Sequence, residues 1–160
     1  MPSESYKKRV VDGCLRVMRD GTVSRRHTRS VLRCSDVDAS VFEPFLLSEK
    51  RNVRWAAATI VAMKGDVSVV ADHLHTETDN TVLVSMIEMI GTVGGSVEEI
   101  VMFLNHDSGI VREAATQSIR RAGREDLLLP LLLVRDEKVN ERAKRFISGA
   151  DREDKKATGS

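Results

Sequence analysis

Three glycines, Gly65, Gly94 and Gly123, stand 29 residues apart, and Val53, Val82 and Val111 keep the same step. Val139 follows after 28. A period of this length marks a chain of stacked supersecondary units, because one such unit cannot bury its apolar face alone. Between valine and glycine the positions correspond. Ala57, Met86, Ala115 and Ala143 form one column, and Val61, Ile90, Ile119 and Ile147 form another. Ala56, Ser85 and Ala114 form a column of small residues, in which the last unit has Arg142. With the valine as n, these columns are n+4, n+8 and n+3, which is one face of an α-helix. The glycine at n+12 is placed for a left-handed C-cap. A shorter apolar segment follows each glycine. Val67, Val70, Ala71 and Leu74 share a helical face in the first, and Val97, Ile100, Val101 and Leu104 in the second. The third is EDLLLPLLLV. Ser96 followed by Glu99 has the spacing of a capping box. Each unit is thus a helical hairpin, and the chain reads as all-α.

A length of 160 residues suits one domain, and aromatics at 4% leave the core to aliphatic side chains. No apolar run approaches the roughly 20 residues that span a bilayer. The start, MPSESYKKRV, has no apolar signal region, and two cysteines build no disulfide framework. A cytoplasmic protein without membrane association is expected. The domain is read as residues 1–149. Residues 50–149 hold the regular repeats. Residues 1–49 form a divergent N-terminal cap and repeat. Its first helix has Val10, Cys14, Val17 and Met18 on one side. A second helix runs through SRRHTRSVLRC, and a third runs from Asp38 or Ser40 to Leu47 with Pro44 near its first turn. Residues 137–148 supply a last, capping helix, and the polar residues 150–160 a disordered tail.

The segments NVRWAAATIVAMKGD and IVREAATQSIRRAGRED resemble the V-R-x-A-A-x-x-x-I/L-x-x-x-G pattern of HEAT-like repeats, nearest to the short subtype named after phycobilisome lyases. Pro130 followed by Leu132 is similar to the second helix of that subtype. The resemblance implies a right-handed α-α superhelix, a short α-solenoid of HEAT-like hairpins. It also implies that an acid at each turn (Asp79, Asp107, Asp136) pairs with an Arg after the valine. Arg54 and Arg112 match that Arg, whereas Leu83 and Asn140 do not.

No constellation carries catalysis. Cys14 lies on an apolar helix face and reads as core, while Cys34, beside Arg33, is the thiol whose pKa could be lowered. Asp72, His73, His75, Glu77 and Asp79 have metal-ligand chemistry. However, two histidines two residues apart on a helix point to different sides, where zinc wants three or four. Gly91, Gly94 and Gly95 follow no strand and precede no Lys-Ser/Thr, so they make no phosphate loop. No catalytic residue, metal or cofactor is assigned, and the chain is read as a non-enzyme.

The resemblance implies instead a protein-interaction or scaffold module with its partner on the concave side, which second helices line. Eight residues past each glycine stand His73, Met102 and Leu131, a row flanked by Ser68, Asp72, Glu98 and Glu99. An acidic groove of this kind suits a basic and apolar peptide. Trp55 sits at n+2, where the equivalents are Val84, Glu113 and Glu141, so it reads as an outward anchor. The alternative partner is nucleic acid. Residues 1–35 hold nine Lys or Arg against three acids, with Arg16, Arg19, Arg25, Arg26, Arg29 and Arg33 as the contact set. A lyase-like or enzyme-accessory role is a further alternative, resting on the subtype's name alone. The column Val61, Ile90, Ile119 and Ile147 predicts burial. Ile119→Ala should therefore cost roughly 2–5 kcal/mol in urea unfolding, and a loss under about 0.5 kcal/mol, typical of surface positions, would break the column.

Overall fold

In the units of Val53, Val82 and Val111 a run of residues compatible with helix leads up to the glycine, and a helix forms over that run. The computed structural model describes residues 3–133, with side chains through 129, and also residues 141, 144 and 145. Its α-helices are α1 (Glu4–Asp20), α2 (Arg25–Leu32), α3 (Arg51–Lys64), α4 (Val67–His73), α5 (Asn80–Val93) and α6 (Gly109–Arg121). Four 3-10 segments complete it, at Ala39–Leu47, Leu74–Thr76, Val97–Asn105 and Glu125–Leu133. Among the described residues there is no strand, so the fold is all-α. Among the described residues no helix is long and apolar enough to cross a membrane. The expected helix 137–148 and the tail 150–160 lie outside the described residues.

The helices make four hairpins. The first helices α2, α3, α5 and α6 pack neighbour against neighbour in chain order. The second helices, 39–47, 67–76, 97–105 and 125–133, also meet in order, and α1 closes the row against α2. The divergent residues 22–49 are therefore a complete hairpin. Asp38 caps its second helix by accepting Ser40 N–H at 3.1 Å, and Asp66 and Asp79 cap α4 and α5 in the same way. Asn52 Nδ2 donates to the carbonyls of Gly21 and Val23, which ties α3 to the turn after α1.

The repeat columns are core. Val53, Val82 and Val111, then Ala57, Met86 and Ala115, then Val61, Ile90 and Ile119 are all buried. Each large aliphatic side chain buried this way contributes about 1.5–3 kcal/mol. The n+5 residues Ala58, Ile87 and Thr116 are buried as well. α3 and α5 each touch a first helix on either side as well as their own second helix, so their apolar arc is wider than one stripe.

Four expectations are corrected. The second helix of the third hairpin winds as 3-10, with three residues per turn, so Val97, Ile100 and Phe103 stack on one line. Phe103 is buried in place of Val101, which is half-buried. Ser96 has φ 56° and its side chain caps nothing, because a left-handed residue aims its hydroxyl away from the first turn; the capping box is absent. Gly94 and Gly123 take positive φ, but Gly65 does not, at φ −123°. What Gly65 supplies is space, since a Cβ there would stand 2.8 Å from the Ala39 Cβ. The implied pairing of turn acids with Arg is also replaced. Asp79 is committed to the α5 amides and lies 3.5 Å from Arg51, so the longer Glu77 reaches Arg54 at 2.8 and 3.0 Å. Arg112 bonds the carbonyls of His106 and Asp107 instead. Twenty-nine residues after Glu77 stands His106, which offers no carboxylate. Asp136 lies outside the described residues.

Gly91 sits inside α5, and a Cβ there would meet Ser118 of α6 at 2.5 Å from its Cβ and 2.7 Å from its Cα. Gly13 sits inside α1 with nothing within 4 Å. Both prefer alanine by helix propensity, by about 1 kcal/mol. Gly13→Ala should therefore stabilise by about 0.5–1 kcal/mol. Gly91→Ala should destabilise by about 1–3 kcal/mol, because the backbone of α6 must move. Urea unfolding of the two variants checks the opposite signs.

Candidate binding groove

On a first helix the columns n, n+4, n+5 and n+8 face inward, which leaves n+2, n+6 and n+10 for the outer face. In α3 these are Trp55, Thr59 and Met63; in α5 Val84, Glu88 and Thr92; in α6 Glu113, Gln117 and Arg121. With Val23 as n of the divergent hairpin, α2 presents Arg25 and Arg29, and Arg33 follows at its C-cap. All three arginines are exposed.

Two adjoining clefts open on this face. One, of about 410 Å³, lies among α2, α3 and the start of α5, lined by Arg25, Arg51, Asn52, Trp55, Asp79 and Ser85. The other, of about 430 Å³, runs between α3 and α5 over Leu32, Trp55, Thr59, Met63 and Met89 to Arg121. Trp55 and Ser85 line both. The clefts exist because side chains in facing columns are short: Ser85 stands where Ala56 and Ala114 stand in the neighbouring helices. Trp55 is half-buried on the core, and the Arg25 guanidinium lies 5.8 Å from its ring centre. That cation–π contact is worth about 0.5–1 kcal/mol at an exposed site. At the mouth, Asp79 is held below the usual carboxylate range by the Val82 and Thr81 amides and by Arg51. It is thus ionised and already satisfied. Met63 is 47% exposed.

The six arginines of the basic end are exposed, and among the described residues none of them forms an ion pair. They do not share one surface. Arg16 lines a cleft of about 220 Å³ between α1 and α2, and Arg25 lines the groove on the other side of α2. Arg19 is near the end of α1, while Arg26, Arg29 and Arg33 belong to α2 and its cap.

On the row of second helices, Met102 is 58% exposed. His73 is half-buried with Nδ1 2.8 Å from the Val69 carbonyl. Asp72 is exposed. Glu98 pairs with Arg124, which together with Asp126 forms a surface cluster that holds both carboxyls below their ordinary range. Glu99 lies 3.5 Å from His75, which stacks on Phe103. The side chain of Leu131 lies outside the described residues. Neither of the two larger clefts touches this row. Both thiols are buried. Burial pushes the Cys14 thiol up to about 11, and Cys34 Sγ donates to the Ser30 carbonyl, so neither is placed to react. Among the described residues no group of three metal-ligand side chains comes together.

Of the predicted contact residues, the structure brings Trp55 and Arg25 together. Leu32, Met63 and Met89 belong to the same groove and were not singled out by the sequence reading. The signal for Met63 was present in its n+10 position, two turns beyond Trp55. No family model, no curated protein and no solved structure matches this chain. If the groove is open surface, Met63→Glu should change stability by less than about 0.5 kcal/mol. Ile60→Ala, three residues earlier in α3 and fully buried, should cost about 2–5 kcal/mol. Equal losses in thermal unfolding would make Met63 core and close the groove.

Proposed function

We propose that this chain is a non-catalytic interaction module, a short right-handed solenoid of HEAT-like hairpins, and that it binds a protein segment along the outer face of its first helices. The observation that carries this reading is the pair of adjoining clefts centred on Trp55, with Met63 exposed beside it. A tryptophan in a concave site gives a large apolar anchor at small entropic cost, which is how interface hot spots are built. Met63 of α3 and Met89 of α5 line one of the clefts with adaptable side chains. The groove follows α3, and fourteen residues of helix are about 21 Å long, room for a four-turn partner helix or about six extended residues. A second reading, nucleic-acid binding, is favoured by the exposed arginines without carboxylate partners; phosphate contacts of that kind weaken steeply with salt.

The test is selection from a random-peptide display library on the full chain. Selected peptides should bind at least about tenfold more weakly to Trp55→Ala and Met63→Glu, a change of about 1.4 kcal/mol, and equally well to Met102→Glu. Loss on Met102→Glu alone would move the site to the second-helix row. Peptides indifferent to all three variants would remove both faces from consideration.

A further inference from the structure

The groove is chemically lopsided. Arg25 lines one cleft, and Arg29 and Arg33 follow it on α2 and its C-cap in the outward n+6 and n+10 columns, one helical turn apart, exposed and without carboxylate partners among the described residues. The floor of the groove is Trp55, Met63 and Met89. Three exposed guanidinium groups on one helix gather positive charge beside an apolar floor. They are complemented by carboxylates at the same one-turn spacing, which is the spacing of residues i and i+4 on a second helix. Building on the reading of the groove as a protein-binding site, we propose that its occupant is an acidic amphipathic helix. Large apolar residues at i, i+4 and i+7 enter the Trp55 clefts, and Asp or Glu along one flank meets Arg25, Arg29 and Arg33. This reverses the charge expected for a partner of the second-helix row.

Nucleic acid fits the arginines but not the rest of the groove. Stacking platforms for bases use successive aromatic rings, and here Trp55 is followed by Thr59 and Met63. Glu88 is exposed on the opposite wall, where a phosphate backbone would meet it. An amphipathic helix places only its polar edge at the arginines and keeps its acids away from Glu88.

Because the chain has a single tryptophan, its emission reports the groove directly. Four probes suffice: three 16-residue peptides lacking Trp and Tyr, with one leucine stripe and Glu, Gln or Lys on the flank, and a single-stranded 12-nucleotide DNA. The expected result is a shift in Trp55 emission with the Glu peptide, bound at least about tenfold more tightly than the Gln peptide at low salt. The Lys peptide should bind more weakly than both. Salt near 0.5 M should narrow the Glu–Gln gap, as screening of rim charges requires. The triple variant Arg25→Gln, Arg29→Gln, Arg33→Gln should abolish that gap, with its melting temperature measured as a control for folding. If the Gln or Lys peptide shifts Trp55 emission with equal or higher affinity than the Glu peptide, the acidic partner is overturned while the groove stands. If no peptide alters Trp55 emission, the protein-binding reading of the groove falls together with this proposal. If the DNA binds there more tightly than the Glu peptide, the occupant is nucleic acid and the proposal is likewise overturned.

Discussion

The arrangement depends on how closely the first helices approach each other. Gly91 of α5 meets the Cα and Cβ of Ser118 in α6, and the alanines at n+3 and n+4 do comparable work in α3 and α6. Small residues at these crossings bring backbones together and let the n+8 side chains Val61, Ile90 and Ile119 fill the space beyond. The cost is visible at Ser118, whose buried Oγ has no hydrogen-bond partner among the described residues. An unsatisfied hydroxyl costs about 1–3 kcal/mol. A residue larger than serine at this crossing would force α5 and α6 apart, and the row of first helices would lose its packing over several positions.

Much of this was legible in the sequence. The inward columns n, n+4 and n+8 follow from spacing alone, because a helix returns to the same face every three or four residues. The divergent first hairpin was also readable, since Asp38 marks the start of its second helix through capping. The n+5 column was not. Ala58, Ile87 and Thr116 differ in size and polarity, and Thr116 can be buried only because its hydroxyl donates to the Arg112 carbonyl at 2.9 Å. The winding of 97–105 escaped notice for a different reason. Val97, Ile100, Val101, Phe103 and Leu104 satisfy both a 3.6 and a 3.0 period, and only packing against α6 decides which of Val101 and Phe103 turns inward. Arg54 illustrates a third kind of limit. Asp79 and Glu77 are both within reach by sequence, and competition from the α5 amides settles which carboxylate the guanidinium takes.

The groove was legible only in part, for a reason tied to the architecture. Columns that face inward must repeat, because each hairpin packs against a copy of itself. Columns that face outward carry no such constraint. At n+2 the residues run Arg25, Trp55, Val84, Glu113, and at n+6 they run Arg29, Thr59, Glu88, Gln117. A search for repetition finds the core and passes over these positions, since what distinguishes them is that they change from hairpin to hairpin. Trp55 stands out by its size and Met63 does not, although both occupy outward columns.

That same freedom gives the outer face its direction. Moving from α2 to α6 along the n+2 column, the surface passes from cationic to apolar to acidic within four hairpins. A solvated face that served only solubility would intersperse both signs and keep tryptophan off the surface. Here one sign is gathered on α2 and the apolar side chains on the next helix, and the clefts open where the two meet. The cation–π contact of Arg25 with Trp55 joins the two zones, so the anchor and the charge that orients a partner share one edge of the site. A partner seated on Trp55 is therefore read by α2 on one flank and by Glu88 on the other. Opposite charges on the two flanks fix which way round an amphipathic segment lies, a discrimination that burial of apolar area alone does not supply.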